Sequence, residues 1–448
     1  METLDPKKLL EKTKKPAQDA LALHPFFRGK VEVVPKCVVR NVSDFAIWYT
    51  PGVAAPCKDI QANPEKVFEH TNKGNFVAVI SDGTRVLGLG DIGPEAAIPV
   101  MEGKALIFKY LGGVDAFPIC VAEKDPDRFM EICLALQPTF GGFNLEDIAQ
   151  PKCFYILETL RKEAHIPVWH DDQQGTAAVT VAGLINAAKV VGKDFKELKT
   201  VMLGSGAAGA SCLRVMIAAG MNPAKIRVLD LVDGQPTIIH PDMDLERLFP
   251  YRGEMLARTN ADGIRGGMEE VFKGMDAVIG YAGPGLIQAH HIQSMASKPI
   301  IFACANPVPE IWPWEAKAAG AAVVGTGRSD FPNQVNNSLG FPGIFRGTLD
   351  VRAKTITDEM CLAAALELAK VAEDKGLHED YIIPSMDEWE VFPREAAAVA
   401  MKAQEQGVAM LKKTREELFA EAETIIRRAR DQLHILMEKG IVPPAPKS

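Results

Sequence analysis

A chain of 448 residues is too long for one ordinary core, so its length predicts two or three domains with substantial apolar interiors. Hydrophobic residues make up 47% of the sequence and charged residues 24%, which excludes wholesale disorder and a fibrous protein. The net charge is −8 with both signs interspersed, so neither a nucleic-acid partner nor an anionic membrane surface is expected. Local groups must therefore bind any anionic ligand.

The eight cysteines include no close pair of the kind that holds zinc or carries redox chemistry. We interpret them as reduced packing residues. Residues 1–16 are Lys-rich and lack the apolar core of a signal peptide. No uncharged apolar run approaches the ~20 residues that a membrane-spanning helix needs. These features predict a cytoplasmic protein that does not enter a membrane.

The first third of the chain mixes strand-like, helical and turn-rich segments, with a strand predicted at 76–80 and a helix at 127–136. This mixture predicts an α/β unit. A strand-turn-helix repetition follows, and its spacing leaves room for crossover helices. It predicts a parallel, doubly wound sheet with strands at 200–203, 226–229, 277–279, 299–303 and 321–324.

The last quarter of the chain reads as helical. Helices are predicted at 357–370 and 393–406, and we expect them to pack back against both preceding units. A charged helix is predicted from Lys412 to Lys439, ending before a proline-rich terminus. Its pattern fits either an arm between subunits or a solvated tail.

A glycine-rich turn lies between the strand at 200–203 and the helix that follows it. Its Gly-x-Gly-x-x-Gly spacing allows close approach of the backbone to a pyrophosphate at the positive end of a helix. Asp230 ends the next strand, close to the usual place of an acid that binds ribose hydroxyls. The pattern predicts a dinucleotide-binding Rossmann fold whose candidate cofactor residues are Gly204, Ser205, Gly206, Ala207, Ala208, Gly209 and Asp230.

Two acidic pairs flank apolar stretches: Glu146 with Asp147, and Asp171 with Asp172. Each pair, taken alone, fits a helix cap. Three carboxylates with open positions would instead suit a hard cation such as Mg²⁺ or Mn²⁺. Whether the pairs converge in space is left open by the sequence.

Three other polar residues lie where chemistry is plausible, although each also has an ordinary structural reading. Arg85 lies in a glycine-rich stretch where its guanidinium could bind a carboxylate with two hydrogen bonds. Lys104 precedes an apolar run, so we expect burial to lower its pKa towards that of a general base. Tyr49 precedes a rigid Thr-Pro-Gly turn that could fix its hydroxyl.

Taken in order, these motifs resemble the malic enzymes over roughly residues 20–405, and the compact length is similar to the bacterial branch of that family. The segment after Lys412 departs from the family pattern, so no role is carried over to it. The motifs that carry the resemblance are residues 48–53, 82–93, 102–104, 145–148, 170–177, 204–209, 305–307 and 332–337.

The resemblance implies oxidative decarboxylation of malate to pyruvate and carbon dioxide, with NAD or possibly NADP and a divalent metal, Mg²⁺ or Mn²⁺. It implies metal ligands at Glu146, Asp147 and Asp172, with Lys104 as the base, Tyr49 as the acid and Asp171 orienting the lysine. It implies that substrate carboxylates are held by Arg85, Asn306 and Asn337, with Asn336 as a further candidate and Asn306 also near the cofactor.

With this resemblance the chain divides into an N-terminal substrate and metal domain (1–165), a Rossmann domain with returning helices (166–411) and a C-terminal helical extension (412–448). A homodimer or larger homo-oligomer is expected, with Tyr49 acting in its own or a neighbouring subunit. Asp230, without a basic residue soon after it, predicts a preference for NAD over NADP.

Three alternatives remain open from the sequence. A malolactic enzyme would share these residues but release lactate. Another two-domain nicotinamide-dependent dehydrogenase would not need the three carboxylates. A non-catalytic nucleotide sensor would need neither Lys104 nor Tyr49.

Overall fold

The computed structural model describes residues 6–446, so the Lys-rich start of the chain is described from Pro6 onward. Ten strands form two separate sheets, and helices cover both. The helices are α1 Pro6–Phe27, α2 Phe45–Trp48, α3 Ala54–Ala62, α4 Val67–His70, α5 Pro94–Gly112, α6 Pro126–Leu136, α7 Lys152–Glu163, α8 Thr176–Val191, α9 Ala207–Ala218, α10 Leu245–Leu248, α11 Gly253–Leu256, α12 Met268–Val271, α13 Ala289–Gln293, α14 Pro313–Ala318, α15 Phe341–Asp350, α16 Asp358–Lys375, α17 Val391–Glu405 and α18 Arg415–Glu438.

The first sheet has four parallel strands in the order β2-β1-β3-β4. They are β1 Phe76–Ser81, β2 Asp115–Cys120, β3 Gly142–Leu145 and β4 Val168–His170. The β1 strand and its two neighbours β2 and β3 are joined through crossover helices, so all four strands end at the same edge. The strand predicted at 76–80 and the helix predicted at 127–136 are both present.

The second sheet has six strands in the order β10-β9-β8-β5-β6-β7. They are β5 Thr200–Leu203, β6 Ile226–Val232, β7 Gln235–Ile238, β8 Ala277–Gly280, β9 Ile300–Ala303 and β10 Val323–Thr326. Five are parallel, in the order of a Rossmann fold, and the predicted fold class is confirmed. The antiparallel strand β7 is not among the predicted strands.

The largest apolar core lies between the two sheets, around α8 and α15–α17. The α8 helix is rich in Ala and Val, is buried on nearly every side, and ends at Gly192, whose φ of +73° lies in the left-handed region. Smaller cores cover the outer faces of the two sheets. The helices predicted at 357–370 and 393–406 are α16 and α17, and they do return against both units, since α17 packs on α5 and α16 packs on α8 and α9.

The C-terminal helix α18 is not a solvated tail. A capping box of Thr414 and Glu417 starts it, and its buried face packs on α17 and α5. Arg427 lies over the ring of Trp389 at 4.4 Å, and Arg430 lies over the ring of Tyr110 at 4.2 Å. This part of the chain therefore braces the helix that carries Lys104.

All eight cysteines are free thiols, as predicted. Six of them are at least partly buried. Cys37 and Cys57, however, are exposed, so for these two the packing interpretation is wrong.

Candidate active site

Four acidic residues lie at the carboxyl ends of two neighbouring strands of the first sheet. Glu146 and Asp147 follow directly on β3, and Asp171 and Asp172 follow directly on β4. The two strands are parallel, with their last residues opposite each other. The strand order therefore brings together two acidic pairs that lie 24 to 26 positions apart in the sequence.

Glu146, Asp147 and Asp172 form a carboxylate cluster in which one oxygen of each lies within 4.8 Å of the others. The first two are buried and Asp172 is half-buried. Burial raises the pKa of Asp147 to about 8, and the charge of Asp172 adds to the effect. Burial also raises the pKa of Glu146 well above its ordinary value, although Lys104 opposes it. A divalent cation would relieve this electrostatic cost.

The donor set of the carboxylate cluster fits a hard cation. Asp147 Oδ2 is buried and has no hydrogen-bond partner among the described residues. The backbone of Asp147 has a φ of +56°, in the left-handed region, and its N–H donates to Asp172 Oδ2 at 2.8 Å. Oxygen-only donors with one oxygen unpaired suit Mg²⁺ or Mn²⁺, which prefer carboxylates and keep positions for other ligands.

Neither acidic pair caps a helix. The α7 helix starts after Pro151 without a side-chain cap. One π-helical turn, Asp171–Gly175, precedes α8, whose first residues also receive no side-chain cap. Glycine is needed at the end of that turn, because a Cβ on Gly175 would collide with Asp171 Oδ1. The helix-cap interpretation is therefore wrong for both pairs.

Lys104 lies on α5 beside the carboxylate cluster and is only 8% exposed. Its Nζ donates to Asp171 Oδ2 and lies 3.2 Å from Glu146 Oε1. The ring of Phe341 covers the amine, with 4.5 Å between Nζ and the ring centroid. Trp169 Nε1 donates to the other Asp171 oxygen at 3.1 Å. Both partners of the lysine–aspartate pair are therefore held in place from outside.

The expected direction of the Lys104 pKa is wrong. Burial lowers it, as anticipated, but the carboxylates of Asp171 and Glu146 more than reverse that effect and hold the pKa above its ordinary value. The sequence could not reveal how many carboxylates face the amine. A cation bound by the same carboxylates would weaken their effect on the amine and so lower the pKa of Lys104.

The loop that contains Arg85 runs past the carboxylate cluster. The Arg85 backbone N–H donates to the Asp147 carbonyl at 2.9 Å, while its exposed guanidinium donates to the Leu87 carbonyl at 3.0 Å. The same loop meets the second sheet, since a Cβ on Gly88 would lie 2.7 Å from the Asn306 carbonyl oxygen. The Arg85 loop thus meets Asn306 beside the carboxylate cluster, and we call this meeting point the opening of the site.

The side chains of Asn336 and Asn337 differ in which groups they contact. The Asn336 amide donates to the Gly327 carbonyl at 2.9 Å and accepts from the Ser338 N–H at 3.0 Å, so its side chain is committed to the backbone. A Cβ at position 175 would collide with Asp171 Oδ1 and would lie 3.2 Å from the Cβ of Asn337. Asn337 is therefore next to the lysine–aspartate pair. Of the two, Asn337 is the better placed to meet a substrate.

Tyr49 is not in the buried pocket that holds Lys104. Its side chain is 71% exposed and makes no hydrogen bond to any residue in the range 6–446. The expectation that the following turn fixes the hydroxyl is wrong for the single chain. Tyr49 lies instead on an arm, residues 31–53, that exposes several large apolar side chains: Val33, Val38, Val42, Phe45, Ile47 and Trp48.

The glycine turn has the geometry of a phosphate cradle. Gly204 has a φ of +86°, and Gly209 lacks a Cβ that would collide with the Gly204 carbonyl. The α9 helix starts at Ala207 without a side-chain cap, so its first N–H groups are available to an anion. Ser205 donates to Asp230 Oδ2 from its N–H at 2.8 Å and also from its hydroxyl.

A basic residue that is distant in the sequence interacts with the charge of Asp230. Burial lowers the pKa of Arg252, and the nearby Asp230 carboxylate opposes that lowering. Arg252 lies 22 positions after Asp230, so the fold, and not the local sequence, brings the two together.

Comparisons with known proteins agree with this arrangement. Residues 173–405 match the family described as malic enzyme, NAD binding domain, and residues 28–126 and 121–161 match malic enzyme, N-terminal domain. The chain belongs to the malic enzyme family. The predicted resemblance is therefore confirmed, and the chain is a family oxidoreductase whose NAD-binding domain is the Rossmann-like unit.

Two similar relatives within the malic enzyme family come from bacteria. A bifunctional malic/malolactic enzyme of Bacillus subtilis is 49% identical over 401 residues, covering 90% of this chain and 96% of the relative. An NAD-dependent malic enzyme of Geobacillus stearothermophilus is 49% identical over 381 residues, covering 85% of this chain and 78% of the relative. Matches at lower identity include NADP-dependent malic enzymes.

The fold is shared with solved malic enzyme structures. The crystal structure of malic enzyme from Pyrococcus horikoshii superposes with a TM-score of 0.88 at 54% identity, covering 92% of this chain and 95% of that chain. Within residues 6–446, no helix combines the length and apolar character needed to span a membrane.

Sequence reasoning missed three residues that shape the site. Trp169 and Phe341 fix the lysine–aspartate pair, and Arg252 stands near the glycine turn. The consecutive apolar residues of β4 mark Trp169 only as a core residue. No local signal marks the other two, since their partners lie far away in the chain.

Proposed function

We propose that this chain oxidises (S)-malate and decarboxylates it to pyruvate and carbon dioxide, using NAD and a divalent metal. The observation that carries the proposal is the buried carboxylate cluster beside the Lys104–Asp171 pair, at the opening shared with Arg85 and Asn306. Such a combination has no use in a nucleotide sensor. It suits a substrate that carries a hydroxyl and two carboxylates.

Glu146, Asp147 and Asp172 would hold Mg²⁺ or Mn²⁺. When bound, the metal would polarise oxygen atoms of the substrate, and NAD would accept a hydride. Lys104 takes the proton of the C2 hydroxyl, and Asp171, which is itself held by a hydrogen bond from Trp169, positions the amine for it. Arg85, Asn306 and Asn337 bind the substrate carboxylates. The ring of Phe341, which covers the amine, keeps bulk water away from it.

We infer that Tyr49 supplies the proton that C3 receives after decarboxylation, and that it does so in a neighbouring subunit. The support is twofold. The Tyr49 arm exposes apolar side chains that a monomer would leave in water. Leu87 and Leu89, beside the opening of the site, are exposed as well. A dimer in which each arm covers its partner's opening buries both surfaces and completes both sites.

Mixing two impaired variants tests this arrangement. Lys104→Ala and Tyr49→Phe dimers are dissociated, mixed and reassociated. If Tyr49 acts across the interface, a mixed dimer has one intact site, and activity returns to about one quarter of wild type for random mixing. If Tyr49 acts within its own chain, no mixed dimer has an intact site and activity stays at the level of the separate variants.

NAD is the proposed cofactor, because a 2′-phosphate beside the Asp230 carboxylate would meet a like charge. Arg252 offsets part of that charge, so we expect NADP to be used with a lower kcat/KM and not rejected outright. Initial rates with each cofactor at fixed malate and Mn²⁺ measure the preference. A higher kcat/KM with NADP would refute it.

The experiment that tests the proposed reaction supplies the purified protein with malate, NAD and Mn²⁺ and measures NADH and pyruvate together. Equal amounts of both, lost on chelation of the metal and restored by Mn²⁺, are expected. Activity that survives chelation would favour a dehydrogenase that does not use the carboxylates. No turnover with either cofactor would refute the enzymatic proposal.

A second candidate activity is the malolactic reaction, favoured by the likeness to the bifunctional malic/malolactic enzyme of B. subtilis. It would use the same residues but reduce the pyruvate before release. Lactate formed from malate without accumulation of NADH identifies it.

The domain division at residues 165 and 411 and the cytoplasmic location remain predictions.

A further inference from the structure

Arg252 is a buried cation that the proposed reaction does not use. It directly precedes α11 and is only 8% exposed. Its guanidinium carbon lies 5.3 Å from the ring centroids of both Phe154 and Phe249. Phe154 belongs to α7, beside the first sheet, whereas Phe249 follows α10, beside the second. Arg252 therefore stands in the crevice between the two sheets.

Most of the hydrogen-bonding capacity of Arg252 is unused. Its Nη1 donates to Gln150 Oε1 at 2.8 Å. Its Nε is buried and has no partner among residues 6–446. A buried guanidinium with an unpaired donor is costly, because the lost contacts with water are not replaced. An anionic ligand in the crevice would replace them.

The hydrogen-bond partner of Arg252 places it beside the glycine turn. A Cβ on Gly206 would lie 3.7 Å from Gln150 Nε2, so the Gln150 amide lies against the middle glycine of the turn. Ser205, the preceding residue of the same turn, donates to Asp230, whose charge interacts with that of Arg252. Gln150, Arg252 and Asp230 thus surround the uncapped start of α9.

We propose that Arg252 binds a phosphate group of the dinucleotide and thereby sets cofactor selectivity. The inference rests on the proposed function only in requiring a nicotinamide dinucleotide in the glycine turn. A guanidinium can donate two parallel hydrogen bonds to a phosphate. NADP offers a 2′-phosphate next to the ribose that Asp230 would bind, and both cofactors offer a pyrophosphate. The position beside Asp230 assigns Arg252 to the 2′-phosphate.

Equilibrium binding of two cofactor fragments tests the assignment without any turnover. The probes are 2′,5′-ADP, which carries the 2′-phosphate, and ADP, which carries only the pyrophosphate. Arg252→Gln is expected to weaken 2′,5′-ADP about 10- to 100-fold and ADP less than about threefold in a calorimetric titration. The matched control is Arg247→Gln, because Arg247 is a nearby exposed arginine paired with Asp244 at 3.1 Å. The control should bind both probes like the wild type.

Further variants separate phosphate binding from a purely structural role. Arg252→Lys keeps the charge and should recover part of the 2′,5′-ADP affinity. Gln150→Leu removes the bridging hydrogen bond but keeps the guanidinium, and it should preserve the ratio of the two affinities. Thermal unfolding of each variant confirms that it is folded before titration.

Each outcome bears on the proposal. Equal weakening of both probes by Arg252→Gln, with Gln150→Leu like the wild type, overturns the assignment to the 2′-phosphate and with it the role in selectivity. Unchanged affinity for both probes overturns the proposal, as does equal weakening that Gln150→Leu reproduces. If malate is not oxidised yet these fragments bind as expected, the proposed function fails and the role of Arg252 stands.

Discussion

Glu395 is a fully buried carboxyl group between two of the returning helices, and replacing it by glutamine should stabilise the protein at neutral pH. Neither of its oxygens has a hydrogen-bond partner among the described residues. It lies in α17 against Gly343 of α15, where a Cβ would collide with it. The α15 helix also carries Phe341, which covers Lys104. The contact between Glu395 and α15 therefore helps to hold Phe341 over Lys104.

The size of the effect follows from proton linkage. Burial raises the pKa of Glu395 well above its ordinary value of 4.5, and the charge of Glu367 adds to the effect. The stability that this group contributes is full below pH 4.5 and is lost as the pH rises towards the folded-state pKa, because only the unfolded chain releases the proton. The loss is about 1.4 kcal/mol for each pH unit between 4.5 and the folded-state pKa.

Urea unfolding from pH 5 to 8, at one protein concentration, measures this loss. The free energy of unfolding of Glu395→Gln should exceed that of the wild type increasingly as the pH rises. Glu373→Gln is the control, since Glu373 is an exposed glutamate of α16 paired with Lys189 at 3.1 Å and should give no such gain. A difference between Glu395→Gln and wild type that is constant over this range would refute the reasoning.

Four other substitutions test the site. Asp172→Ala should lose the rise in Tm that Mn²⁺ produces while still binding NAD; metal-dependent turnover that persists at low Mn²⁺ would refute the ligand assignment. Lys104→Ala should lower malate oxidation by ~10²-fold or more, whereas Tyr49→Phe should slow pyruvate formation and spare reduction of added oxaloacetate, as parallel rate assays would reveal. Gly209→Ala should weaken NAD binding in a fluorescence titration, because its Cβ would collide with the turn, unlike the control Gly74→Ala, whose Cβ would have ordinary contacts.

The fold was largely predictable because its signals are local. The strand-turn-helix rhythm and the glycine spacing identified the Rossmann unit, and each predicted strand is present within a few residues. The hairpin from β6 to β7 was missed, although Asp233 and Gly234 have φ values of +48° and +77° and form a typical two-residue hairpin turn. Without them, the strand at 226–229 was expected to lead directly into a crossover.

The site was predictable only where a motif carried it. The acidic pairs could be named from the sequence, but their convergence depends on β3 and β4 being neighbours, which no local pattern states. The pKa of Lys104 depends on that same convergence. Arg252 stands in the crevice between the two sheets and contacts Phe154, which is distant in the sequence. The exposure of Tyr49 depends on how residues 31–53 pack against the rest of the chain. These properties arise from packing over long sequence separations.

The central claim is that the carboxylate cluster is the metal centre of the reaction. The most direct measurement is a crystal structure of the protein with Mn²⁺, NAD and oxalate, a mimic of the pyruvate enolate, collected at a wavelength where manganese scatters anomalously. We expect one strong anomalous peak in contact with oxygens of Glu146, Asp147 and Asp172, with oxalate beside Lys104. A peak elsewhere, or oxalate bound away from the lysine, would contradict the account.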